Sequence, residues 1–68
     1  MSRVDAILKA RSLAREKKAA HVVYHNWETN APAIVSADEY ERISPLFDKR
    51  RPALVVAVAH PHGITETY

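Results

Sequence analysis

Residues 31–43 read Ala-Pro-Ala-Ile-Val-Ser-Ala-Asp-Glu-Tyr-Glu-Arg-Ile, a short apolar strand running straight into a capped helix. Ser36 and Glu39 have the Ser-x-x-Glu spacing of a capping box, in which each side chain satisfies an orphan backbone donor of the first helical turn. The stretch therefore predicts a strand over 32–35 and a helix over 37–43. Pro32 is tolerable at the start of that strand or on a sheet edge.

Upstream, His21-Val22-Val23-Tyr24-His25 is rich in β-branched and aromatic residues and predicts a first strand. The polar connection 27–30 makes the two strands an antiparallel hairpin. Before them, Ser2 is placed to cap a long first helix, and no Gly or Pro interrupts the chain up to Ala19. On that helix Ala6, Ile7, Ala10, Leu13 and Ala14 fall on one apolar side, with Val4 and Leu8 at its margin. Asp5, Lys9, Ser12 and Glu16 project opposite, and Arg11, Arg15 and Lys18 form a stripe beside Val4.

Downstream, Ser44-Pro45 repeats the helix-start signal and Pro52 forbids continuation, which predicts a helical turn or two over 45–50. The valine-rich run 53–59 is too short for a typical helix and reads as a strand buried on both faces at the centre of the sheet. Pro61 and Gly63 then mark a turn, leaving the last residues extended or loosely ordered. The expected fold is one α+β domain over 1–68. It has a small single-layer antiparallel or mixed three-stranded sheet packed by a long N-terminal helix, with two short helices before the last strand.

A chain of 68 residues with no cysteine has no disulfide to support its small core, so self-association into a homodimer is expected. Composition is that of a folded domain, with 47% apolar and 26% charged residues. No signal-peptide core and no run long enough to span a bilayer is present, so a cytoplasmic location without membrane contact is expected. The net charge of +2 conceals an uneven distribution: +4 over residues 1–18, −4 over 19–48 and +2 over 49–68. The basic first helix leaves nucleic acid or an acidic protein as partners.

Arg3, Arg11, Arg15 and Lys18 are the candidate nucleic-acid contacts, because cations on one helical face meet phosphates without reading sequence. An ordinary solvated helix face has the same pattern. Lys49, Arg50 and Arg51 are a candidate protein contact or a favourable charge at the end of a short helix. Tyr24 and Trp27 join them as candidate protein-interface residues, with Trp27 at the hairpin tip either folded back onto the core or free to anchor a partner. Tyr40 and Phe47 are expected to hold the short helices on the sheet.

Chemistry finds little purchase. His21, His25, His60 and His62 lack the spacing of a zinc site, so neither metal nor cofactor is predicted. Ser12, Ser36 and Ser44 are the only nucleophile candidates in view; the last two are explained as caps, and a single glycine leaves no phosphate-cradling loop. The chain is not expected to be an enzyme.

Pro32-Ala33-Ile34-Val35-Ser36-Ala37-Asp38-Glu39-Tyr40-Glu41-Arg42, following a basic helix over 4–18, resembles the corresponding part of Phd/YefM-type antitoxins. The resemblance implies dimerisation through this domain, operator DNA bound by Arg3, Arg11 and Arg15, and a partner toxin. The chain departs from that pattern in lacking a strand before the first helix and in carrying an apolar strand over 53–59, where a polar tail stands in the family. A DNA-binding regulator of antitoxin or repressor type is thus the leading expectation. The alternative is a compact inhibitor or adaptor, of the kind phages and plasmids encode, that occupies a partner protein's surface.

Overall fold

The computed structural model describes residues 2–46 and 54–68. Its elements are α1 (Arg3–Lys17), β1 (His21–Asn26), β2 (Ala31–Ser36), α2 (Ala37–Ile43), a 3-10 turn (Ser44–Leu46), β3 (Leu54–Ala59) and β4 (Thr65–Thr67). The strands form one antiparallel sheet in the order β2-β1-β3-β4. The α+β class and the long N-terminal helix are as expected, but the sheet has four strands and not three. Thr65–Thr67, expected as a loose or extended end, pairs with β3 through Ala57↔Thr67, Val58↔Glu66 and Ala59↔Thr65.

Helix α1 begins where Ser2 turns extended and its Oγ accepts a hydrogen bond from the Asp5 N–H at 3.2 Å. It ends at Lys18, whose left-handed backbone (φ 53°) lets its N–H reach the Ala14 carbonyl. Ala6, Ala10 and Ala14 are fully buried and stand one above another along the helix. Their methyl groups allow the helix backbone to lie close against Val23, Val56, Ala57 and Ala59, with Ile7 and Ile34 at the margin. Among the described residues, Val23 is the largest side chain that is completely enclosed.

A register irregularity between Val23 and Tyr24 shapes this contact. Val23 opposes Ala57 and Tyr24 opposes Val55, so Val56 is the extra residue of a bulge. Val56 and Ala57 thereby both join the cluster under α1, which strict alternation would not allow. Val22 and Tyr24 alternate with Val23 and face the other side, where α2 lies and the Tyr40 ring stands 6.0 Å from that of Tyr24. Helix α2 is capped by Ser36, whose Oγ accepts from the Glu39 N–H at 3.2 Å.

Two expectations need correcting. Val4 and Leu8, placed at the margin of the buried side, are 66% and 54% exposed, because alanine and not the larger apolar residues defines the contact line. Leu54 is 49% exposed, so the run into β3 is not buried on both faces, and the sheet centre is shared by β1 and β3. Where the second short helix was expected, Ser44–Leu46 form a 3-10 turn. The rest of that segment, with Phe47, Lys49, Arg50, Arg51 and Ala53, lies outside the described residues. No described helix is long and apolar enough to cross a membrane.

If the alanine line sets the helix-to-sheet distance, Ala10→Leu overpacks it and destabilises the fold by about 1–3 kcal/mol. Thermal denaturation will show this as a fall of roughly 4–8 °C per kcal/mol in a domain of this size. Leu8→Ala, on the exposed face, is expected to stay within about 0.5 kcal/mol of the parent.

Candidate functional site

With its alanine line against the sheet, α1 turns a defined face outward. At about 100° per residue, Leu8 and Ser12 stand roughly 160° from that line on either side and form the crest of the helix. Arg11, Arg15 and Val4 occupy one flank of the crest, while Asp5, Lys9 and Glu16 occupy the other. All eight of these side chains are exposed, whereas Ala6, Ala10 and Ala14 beneath them are buried. Among the described residues, Leu8, Arg11, Ser12, Arg15 and Glu16 line a shallow groove that is widely open to solvent.

The structure brings Arg11 and Arg15 together as the sequence expected and sets the other two candidates apart. Arg3 is the first helical residue and lies on the side of α1 nearer the sheet, though it is exposed at the helix end. Lys18 is exposed but stands past the last helical turn in its left-handed conformation. The acidic residues Asp38, Glu39 and Glu41 are exposed on α2, on the opposite side of the sheet from α1. Helix α1, net positive despite Asp5 and Glu16, and helix α2, net negative despite Arg42, therefore lie on opposite sides of the sheet.

The aromatic candidates are placed differently. Tyr24 is only 6% exposed and is held in the β1–α2 contact, which leaves almost none of its surface for a partner. Its hydroxyl is pushed above the ordinary tyrosine range, first by burial and then by the carboxylates of Glu39 and Glu28 and by Tyr40. Trp27 sits in the β1–β2 connection, 38% exposed, with its ring edge-on to His25 at 4.5 Å. It is thus partly folded back and partly open. Lys49, Arg50 and Arg51 are not among the described residues.

The histidines serve separate local roles. His21 is buried, with Nδ1 2.9 Å from the Ala19 carbonyl, and since that oxygen only accepts, Nδ1 carries the proton. His60 and His62 stack with ring centroids 5.3 Å apart. His60 Nε2 is closed off from water and lies 3.5 Å from Glu66 Oε1 without hydrogen-bond geometry. Glu66 Oε2 accepts from the Tyr68 hydroxyl at 2.7 Å, which together with the Glu66 charge raises the Tyr68 pKa. Among the described residues no three His, Asp or Glu side chains come together to hold a metal ion.

Two features escape sequence reasoning. The His60–Glu66–Tyr68 contacts depend on a three-residue strand whose pattern carries no periodic signal. The exposure of Leu8 is the other: the apolar side holding Ala6, Ala10 and Ala14 was expected, but Leu8 stands about 160° from that line and not at its margin. Comparison with family models, with curated proteins and with solved structures finds no match.

A raised tyrosine pKa means that the neutral hydroxyl is favoured in the fold, so its contribution is complete below the unfolded value near 10 and is lost as the pH rises through the higher folded value. Stability measured by denaturant unfolding is expected to decline above about pH 10. Tyr24→Phe should flatten that decline, and an unchanged alkaline slope would show that Tyr24 is not the group responsible.

Proposed function

We propose that the protein is a small, non-catalytic DNA-binding regulator that docks through the outer face of α1 and needs no cofactor. The observation that supports this most is the placement of Arg11 and Arg15 side by side on an exposed flank, turned away from the acidic α2 side. Lys18 and Arg3 extend the cationic character toward the two helix ends. Each phosphate neutralised by such a residue releases counterions and adds affinity that weakens with salt. The antitoxin-like or repressor-like character of the regulator rests on the resemblance of residues 32–42, and a homodimer fits a core built largely of alanine.

A second function class has one observation in its favour. Val4 and Leu8 are strongly exposed on the same face as the arginines, and apolar surface among charges suits an acidic protein surface. In that case the chain is a small inhibitor or adaptor, with α1 and not Tyr24 as its contact.

Fluorescence anisotropy against a mixed-sequence duplex at two salt concentrations separates the classes. DNA binding that weakens steeply with salt is expected, and no binding at low salt would favour the protein-binding alternative. Arg11→Ala with Arg15→Ala should lower affinity and reduce the salt slope by about 2, one per lost phosphate contact. The thermal transition should be unchanged, because exposed charges contribute little to stability.

A further inference from the structure

A helix that enters the major groove of DNA nearly fills it. The groove is about 12 Å wide and an α-helix with side chains about 10–12 Å across, so both flanks of the inserted helix run beside phosphates while its crest meets base edges. On α1 the crest residues would be Leu8 and Ser12, and the two flanks are not alike. Arg11 and Arg15 stand on one flank; Asp5 and Glu16 stand on the other, with Lys9 between them leaving that flank net negative. Insertion would therefore bring two carboxylates against a phosphate ridge.

We infer that α1 lies along a single phosphate backbone by its Arg11–Arg15 flank and does not enter the groove, so that binding is independent of base sequence. This inference rests on the DNA-binding function proposed above and specifies how that face is used. Three structural features converge on it. The alanine line fixes the rotation of α1 on the sheet, so the helix cannot roll to present another flank. The cations at its ends, Arg3 and Lys18, are set off the crest and add to electrostatic contact without approaching base edges. On the crest, Leu8 offers no hydrogen bond and Ser12 only a single hydroxyl, which is compatible with any base.

The carboxylates then have a specific role: Glu16 and Asp5 keep the second flank off the DNA. Glu16 borders the same groove as Arg11 and Arg15, so it is the more direct position to change. Replacing it by lysine makes both flanks cationic.

The test is a salt-dependent anisotropy titration of the whole chain with two labelled duplexes of unrelated sequence, one rich in A·T and one rich in G·C. The parent is expected to bind both within about threefold, with a log–log salt slope no steeper than about −4, the value for four phosphate contacts. Glu16→Lys should tighten binding to both duplexes several-fold at low salt and steepen the slope by about 1. Leu8→Ala and Ser12→Ala should leave the ratio between the duplexes unchanged. Discrimination of tenfold or more that disappears in Leu8→Ala or Ser12→Ala would overturn the inference while leaving DNA binding intact, as would an unchanged affinity in Glu16→Lys. Failure of the parent to bind either duplex at low salt would instead remove the DNA-binding function itself.

Discussion

The contact between three alanine methyl groups and the sheet determines most of what the molecule presents to solvent. Ala6, Ala10 and Ala14 bring α1 close to Val23, Val56, Ala57 and Ala59. Small residues permit that approach but bury little apolar area each, and hydrophobic stabilisation scales with the area removed from water. The domain compensates through the sheet, where β1 is covered on one side by α1 and on the other by α2. Four consecutive residues, His21 to Tyr24, are buried as a result.

The bulge at Val56 belongs to the same arrangement. It delivers two neighbouring residues of β3 to the α1 side, which a regular strand cannot do, and so widens the platform beneath a helix whose own contact line is narrow. It also divides the β1–β3 pairing into two registers. A slip of either half would move Val23 or Tyr24 away from its partner, so the irregularity helps fix the alignment of the central strands.

Local chemistry explains which parts of the fold were legible in the sequence. Ser2 and Ser36 announced both helices because capping is settled within a few residues, and in the structure the Oγ of each accepts a hydrogen bond from a first-turn N–H. The hairpin was readable from β-branched residues on either side of a polar connection. The buried side of α1 was legible too, since Ala6, Ala10 and Ala14 lie where the apolar side was expected, but the exposure of Val4 and Leu8 was not, because their hydropathy drew them to the margin of that side. The fourth strand was hidden for a different reason: three residues, Thr65–Thr67, are too few for alternation to register, and their pairing depends on β3. At the candidate site, the Arg11–Arg15 pair follows directly from helical spacing. The enclosure of Tyr24 required knowing that α2 returns to the far side of the sheet.

Among the described residues, net positive α1 and net negative α2 stand on opposite sides of the sheet, so their charges are set apart along the direction in which the layers stack. If the partner is a polyanion, as proposed, its field would favour approach with α1 leading and α2 trailing. Raising ionic strength would then weaken that steering and slow arrival.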